Sequence, residues 1–518
     1  MKRSKRNVAC TLASLSLVFL AACATPGVER SGGSATLNLE PVPGQGHVAI
    51  KIVPSRPVSA LNPRWKSVVL ESKNGQVSVA LDDFAEVGAK GSLFFGRIPE
   101  GDYDVVRLES HGPGGGLLWA MLTGDYQSIR DRVGTFSVRH GSLTNLGAII
   151  VAPAEEAGKP ARIEYLSGEV GRRDVAEHLQ RRTGQALTLP QVPARAVGAD
   201  EKQALARSRA LISALSPGHD AHGSALFGGA SLGQIVSRDA NGVWQTFPLE
   251  LLDDVTYARR LPDGTLIAGL TQGRYAVRKA GQWRMFGLPE KEAFVDFIDV
   301  TGDGGAIFAV STQRKGVLLH KKALEDEHSE VRTLTAMDLS MVHLSRLAHS
   351  YDDRVVFVQN YPGISRTADF ISVNKATLRL ATERQDFWVN GVQQLTDGAL
   401  VISRQNAMSY FVSVSEDKGA TWRHGDTPGP LFTYFLDRNR GYGLELNRGA
   451  FSVSVSLRKT ADGGKTWSNT GVPLSRDVVD RILWAGPQGE VIVSAGFEVY
   501  STTDDGATWI KLLPRRAP

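Results

Sequence analysis

Residues 415–422 read SEDKGATW, residues 460–467 read TADGGKTW and residues 502–509 read TTDDGATW. One pattern runs through all three: Ser415, Asp417, Gly419, Thr421 and Trp422; Thr460, Asp462, Gly464, Thr466 and Trp467; Thr502, Asp504, Gly506, Thr508 and Trp509. The tryptophans are 45 and 42 residues apart, the period of a four-stranded propeller blade. The residue types are structural: aspartate can accept backbone N–H bonds in a tight hairpin, glycine supplies the backbone angle, and tryptophan packs between sheets. Weaker copies extend the repeat backwards, at Ser237, Asp239, Gly242 and Trp244 (SRDANGVW) and at Gly281, Gln282 and Trp283 (VRKAGQW), 39 residues apart at the tryptophans. Seven of the nine tryptophans fall from 244 onward, as one per blade requires. Residues 254–288 give four short strands separated by PDG, QG and AGQ turns, and the last blade repeats that order. The 139 residues between Trp283 and Trp422 are about three steps of ~45, hence two blades without recognisable boxes. Blade ends near 244, 283, 322, 375, 422, 467 and 509 count seven, and the spacing also admits six or eight.

The repeated pattern resembles the Asp-box, or BNR repeat, of sialidase-like, sortilin-like and photosystem-assembly-type propellers. That resemblance implies a C-terminal β-propeller over residues 206–518 in which the box residues hold turns together.

The chain has 518 residues, more than one hydrophobic core usually holds, with 42% hydrophobic and 22% charged residues. This composition excludes wholesale disorder and a polytopic membrane protein. Glycine is abundant, 54 residues without a collagen period, which points to many turns and a β-rich chain. The formal net charge of +5 includes Lys2, Arg3, Lys5 and Arg6, and without them it falls to +1. A near-neutral chain has no electrostatic footprint for nucleic acid, so nucleic acid is not an expected partner.

Those four cations begin a secretory signal at residues 1–22: a basic segment, an apolar run at 8–22 (VACTLASLSLVFLAA), and small residues before Cys23. The apolar run is shorter than the ~20 residues of a membrane span. Leu20, Ala21, Ala22 and Cys23 resemble the lipobox of bacterial lipoproteins, which implies that Cys23 is lipidated and becomes the acylated N-terminus. Cysteine usage agrees, since the only other cysteine, Cys10, leaves with the signal. By the same resemblance, Ala24 in place of aspartate favours sorting to the outer membrane. Residues 23–34 then read as a flexible tether.

Residues 35–155 carry short alternating apolar runs (HVAIKIV, VSVAL, SLFFGRI, YDVVRL, LGAIIV) broken by turn residues, which suggests a β-sandwich. Phe95 to Leu108 (FGRIPEGDYDVVRL) resembles a strand, turn, strand hairpin of transthyretin-like and Ig-like modules. Arg97, Ile98 and Pro99 also match the triplet that opens sialidase catalytic domains, but they lie far upstream of the repeats and read as a strand entering a turn. Residues 156–205 are expected to be a linker with a short helix near 170–183, and 202–215 are ambiguous between helix and strand. The expected architecture is all-β: an N-terminal sandwich, then a propeller of about seven four-stranded blades.

Catalytic and metal patterns are weak. Gly229, Ser231 and Gly233 have nucleophile-elbow spacing, but the next residues read as strand and box where the elbow needs a helix. Asp299, Thr301, Asp303 and Gly304 imitate the start of a calcium loop without its acidic twelfth position. His219 and His222 form a close pair without further ligands. No cofactor or metal is expected. A sialidase-like hydrolase needs three convergent arginines, a tyrosine paired with a glutamate, and an acid aspartate; Arg259, Arg260, Arg354, Arg404 and Arg438 with Tyr257, Tyr434 or Tyr442 are the available set. The expected function is a non-enzymatic platform at the bacterial envelope, held to the membrane by its lipid and binding an envelope protein or a glycan. The alternative is a sialidase-like glycoside hydrolase with its site at the channel mouth.

Overall fold

The computed structural model describes residues 29–30, 39–55, 65, 67–85, 91–109, 126–152, 162–184, 190–193, 200–210, 215–216, 218–291, 293–312, 315–337, 348–361, 367–406, 409–425, 427–448, 453–474, 481–495 and 498–513. The signal segment, Cys23 and most of the tether lie outside them. The chain divides into two compact units, the second made chiefly of Leu205–Pro518.

Among the described residues, the first unit holds eleven strands: β1 (Glu29–Arg30), β2 (Gln45–Pro54), β3 (Ser67–Ser72), β4 (Ser78–Ala85), β5 (Ser92–Pro99), β6 (Gly101–Glu109), β7 (Tyr126–Ser128), β8 (Thr135–Val138), β9 (Leu143–Ala152), β10 (Arg162–Leu166) and β11 (Gln191–Pro193). Its helices are α1 (Arg130–Val133), α2 (Glu169–Thr183) and α3 (Glu201–Ala210), the last crossing the division between the units. The expected sandwich is corrected: all eleven strands belong to one curled sheet, ordered β10-β9-β2-β5-β4-β3-β6-β7, with β1 on β4, β11 on β9 and β8 on β6. Two-residue periodicity explains why no second sheet is needed. On β2, Val48, Ile50 and Ile52 face a core with Phe94, Tyr103 and Ile149, while Ala49 faces the α2 residues Val175 and Leu179. A helix thus covers the face that a second sheet would cover.

Two further expectations change for the same reason. Phe95 to Leu108 does give two strands and a turn, but β5 pairs with β2 and β4, whereas β6 pairs with β3, β7 and β8. They are neighbours in sequence and not in the sheet. The stretch 156–205 is not a bare linker, because β10 pairs with β9 and α2 packs on the sheet. No side chain caps α2 from Gly168, and the Glu201 carboxylate accepts the N–H groups of Val170 and Gly171 at 3.1 and 3.0 Å instead. Beneath α2, Lys51 Nζ and Asp174 form a buried ion pair at 2.6 Å. Glu29 and Arg30, inside the expected tether, pair in parallel with Val79 and Ala80.

The second unit is a seven-bladed β-propeller. Blade 1 consists of β13 (Leu226–Ala230), β14 (Gln234–Arg238) and β15 (Trp244–Pro248), preceded by β12 (Gly218–Asp220). Blade 2 runs from β16 (Val255–Arg260) to Gln282–Gly287, blade 3 from Phe294–Val300 to Val331–Met337, and blade 4 from Ala348–Ser350 to Leu380–Gln385. Blade 5 runs from Trp388–Gln394 to Arg423–His424, blade 6 from Phe432–Phe435 to Ser468–Leu474, and blade 7 from Arg481–Ala485 to Ile510–Leu513. Blade 1 departs from the four-stranded expectation. Before β13, the Ser216 N–H donates to Gly229 O at 2.7 Å, and then β12 pairs in parallel with β16 of blade 2 instead of adding a fourth strand to blade 1.

The three repeated turns share one hydrogen-bond set. Asp462 Oδ1 accepts the Thr460 hydroxyl at 2.9 Å and the Thr466 N–H at 2.9 Å, Oδ2 accepts the Thr466 hydroxyl at 2.6 Å, and Gly464 N–H donates to Thr460 Oγ1 at 2.9 Å. Asp417 and Asp504 repeat these contacts with Ser415 and Thr421, and with Thr502 and Thr508. The bonds from Thr466 hold the half-buried Asp462 carboxyl down at about 2. The turn glycines have φ of +97°, +84° and +89° at 419, 464 and 506, which explains glycine there. Each tryptophan packs on the preceding blade: Trp422 against Phe370 at 5.3 Å between ring centroids, Trp467 beside Val412, and Trp509 beside Leu457. Trp244 continues the rule around the ring, since it packs with Ile492 and Leu513 of blade 7. The Arg238–Glu490 pair, bonded through both guanidinium Nη atoms at 3.2 and 3.0 Å, ties the same two blades.

Candidate functional site

The first strands of the blades enclose a central cavity of about 620 Å³, within the roughly 300–1,000 Å³ of small-ligand sites. Residues 215–216 and 218–220 enter it because two glycines permit close approach. A Cβ on Gly228 would lie 2.2 Å from Ser216 O, and one on Gly218 would lie 2.8 Å from Phe227 O. Register then sets His219 opposite Arg259 and Asp220 opposite Arg260. Asp220 pairs with Arg260 at 3.4 Å and accepts the N–H groups of His222 and Ser224.

Asp299, on the first strand of blade 3, is fully buried behind the cavity wall and joins three blades. Its carboxylate meets Arg259 Nη2 of blade 2 at 2.5 Å and Lys375 Nζ of blade 4 at 2.8 Å, and it accepts the Ser350 hydroxyl of blade 4 at 2.7 Å. Arg259 also donates to Ile298 O at 3.2 Å. Burial pushes the Tyr257 hydroxyl up to about 12, although Arg259 donates to it. His219 is held below its ordinary value, first by burial and then by the Arg259 charge. His349 is lowered to about 4, because burial outweighs its bond to Val392 O at 3.0 Å. Both imidazoles are therefore neutral at pH 7.

The wall can bind more readily than it can exchange protons. Asp220 is the only acidic side chain lining the cavity among the described residues, and it is already paired. Among the described residues, Arg259, Arg260 and Lys375 set three positive charges in or behind the wall against two negative ones, Asp220 and Asp299. Two buried donors of the lining, Arg259 Nε and Asn390 Nδ2, find no acceptor among the described residues.

Of the residues singled out from sequence, His219, Tyr257, Arg259 and Tyr434 reach the cavity. Arg260 lies behind it, stacked on Phe227 and Phe247. Arg354 pairs with Asp353, Arg404 stacks over Phe411 and donates to Ser413 Oγ, Arg438 pairs with Asp397 and Glu416, and Tyr442 donates to Asp505. The five arginines therefore do not converge. Arg97 lies on β5 of the first unit. Ser231 and Gly233 form the turn between β13 and β14, and Asp303 accepts the Thr301 hydroxyl at 2.5 Å and the Gly305 N–H at 3.2 Å. His222 sits on an exposed turn near Pro262 O at 3.3 Å, apart from the cavity that His219 enters. Among the described residues no group of three or more His, Cys, Asp or Glu side chains could hold a metal, and no helix is long and apolar enough to cross a membrane.

Sequence reasoning missed Ser350, Lys375, His349, Asn390 and Arg481, and considered Asp299 only as part of a calcium-like loop. The available signal was FVDFIDV at 294–300, where two aspartates interrupt an apolar strand.

No family model matches the chain, and neither does any curated protein sequence. Among solved structures, the chain is similar to YCF48 bound to a D1 peptide, at 16% identity over 55% of this chain and 91% of that one, with a TM-score of 0.36. It is also similar to YCF48 from Cyanidioschyzon merolae, at 11% identity over 58% and 97%, TM-score 0.36. A third is a PL25 ulvan lyase, at 12% identity over 55% and 89%, TM-score 0.36. None of these distant likenesses bears on what the cavity binds.

Proposed function

We propose that this chain is a lipid-anchored protein of the bacterial envelope, sorted to the outer membrane, whose propeller binds a partner without chemistry. The observation that carries the binding reading is the state of the cavity's carboxylates. Asp299 is shared by Arg259, Lys375 and Ser350, and Asp220 by Arg260 and two backbone amides. Neither has a free oxygen pair poised as nucleophile or general acid, which glycoside cleavage through paired carboxylates requires. The turns at 415–422, 460–467 and 502–509 are read as Asp-boxes, and the bonds of Asp417, Asp462 and Asp504 support that role as clasps. The basic segment, apolar run and Cys23 support the anchor.

Crosslinked pull-down from intact envelopes, with a glycan array beside it, tests the platform. Capture of a defined protein or glycan is expected, with no turnover of chromogenic glycosides. Turnover abolished by a cavity substitution such as Tyr257→Phe would replace binding with catalysis. Cys23→Ser should release the protein to the soluble fraction and remove acyl label. Unchanged retention without acyl label would defeat the anchor.

A further inference from the structure

We infer that α2 is an acid-released cover, held on its sheet through buried ionisable groups and freed when His178 takes up a proton, so that acid bares the apolar sheet face beneath it. The make-up of the docking face points to this. Gly171, Asp174, Val175, His178 and Leu179 are buried on α2, spaced as one helical stripe, and two of the five are ionisable. The sheet answers in kind. His47, Ala49 and Lys51 alternate onto one face of β2, and all three are buried. A helix stripe packed on a sheet is ordinarily apolar, because taking charged groups out of water is unfavourable.

The charges around His178 leave no room for another cation. Lys51 Nζ meets the Asp174 carboxylate at 2.6 Å, so that pair is balanced. Glu177 pairs with Arg181 at 3.8 Å, and Glu201 accepts the N–H groups of Val170 and Gly171. β2 adds His47, stacked on Phe95 of β5 at 5.5 Å between ring centroids, and β5 adds Arg97 opposite His47. β9 brings Leu143 and Asn145, whose Nδ2 donates to Arg172 O at 2.9 Å. An imidazolium at 178 would therefore join Lys51, Arg181 and Arg182 where the nearby carboxylates already answer cations or amides. Burial first, and then the Lys51 charge, hold His178 down at about 2 against an ordinary 6.5. The docked helix keeps the ring neutral, so its contribution to docking is complete above pH 6.5 and is lost as pH falls from there toward about 2. Against that loss the stripe sets only Val175 and Leu179, packed with Ala49, Leu93, Phe95 and Leu143. The sheet has its own backbone ladders, β2 on β5 and β10 on β9, so it can outlast the release of the helix.

Hydrogen exchange of the full chain, followed by mass spectrometry between about pH 7 and about pH 4.5 and corrected for the intrinsic exchange rate at each pH, tests this. Linkage to one proton predicts that the open population of Glu169–Thr183 rises by up to about tenfold per pH unit below 6.5, hence about a hundredfold at pH 4.5. The amides of β2 and β9 should keep their protection. An apolar dye such as ANS should bind at the acid end and leave on return to neutral pH. His178→Gln keeps a neutral polar side chain and should flatten the rise, and His178→Asn covers the case in which the glutamine variant does not fold. Opening of α2 that does not depend on pH would overturn the inference. So would a rise that persists unchanged in the variant, which would put the proton on another group. Joint loss of α2 and the strands would overturn it too, as acid unfolding of the whole unit.

Discussion

Replacing Asp299 by asparagine keeps the shape of the side chain and removes its charge. In the native propeller that carboxylate is fully buried and holds Arg259 at 2.5 Å, Lys375 at 2.8 Å and the Ser350 hydroxyl at 2.7 Å. The substitution would leave two cations facing one neutral amide, and the amide's own N–H groups would point at donors. Breaking a buried pair by removing one partner costs about 3–5 kcal/mol. For a unit running from Leu205 to Pro518, an unfolding entropy of about 2.1 cal/mol/K per residue gives a shift of about 1.5 °C per kcal/mol, so the propeller should melt about 5–8 °C lower. Calorimetry of the full chain is the assay, with the two units allowed separate transitions. Asp353→Asn is the matched control. Its partners Arg354 and Lys418 lie at 3.0 and 2.9 Å, but the side chains are 41–44% exposed, so its loss should cost no more than about 1 kcal/mol. Lys375→Met added to Asp299→Asn should recover part of the loss by removing one stranded cation. Equal, small shifts for Asp299→Asn and Asp353→Asn would refute the reasoning, because position would then not matter to the value of the carboxylate.

Asp296 is raised to about 7 by burial, so the native state holds its proton between the ordinary 3.8 and about 7, and the propeller loses stability as pH rises through that window. Asp296→Asn should therefore stabilise the protein at pH 8 and match wild type near pH 3; a gain independent of pH counts against the assignment. His349 works in the opposite sense. Held at about 4 against an ordinary 6.5, it contributes stability above 6.5 that is lost as pH falls through about 4, and His349→Gln should flatten that part of a melting-temperature profile. For the repeated turns, Asp462→Ala should lower the melting temperature at pH 7. Its difference from wild type should vanish as pH falls from about 4 to about 2, because the depressed carboxyl contributes only above its folded value. At the ring closure, Glu490→Gln breaks the partly buried pair with Arg238 and should open the junction of blades 1 and 7 by about 1–3 kcal/mol. Hydrogen exchange should quicken in Arg481–Ala485 and Leu226–Ala230, and uniform protection would show that the apolar cluster alone closes the ring.

Local rules settled a good part of this protein. Period and turn chemistry sufficed for most of the blades, because each blade is contiguous in sequence and in five of the seven the outer strand opens near a tryptophan, at 244, 283, 422, 467 and 509. The same rules placed α2 near 170–183, close to the observed Glu169–Thr183. They failed where partners are distant. Alternating strands before residue 155 do not say whether they form two sheets or one that curls, since either gives every other side chain a core to face. The segment 215–220 reads as an ordinary loop until Gly218 and Gly228 bring it against its neighbours. Asp299, Lys375 and Arg259 are separated by up to 116 positions and share no motif. A blade's fold is written in residues tens of positions apart, so sequence alone determines it. The cavity's chemistry is assembled from single side chains on successive first strands, and only closure of the ring decides which of them meet.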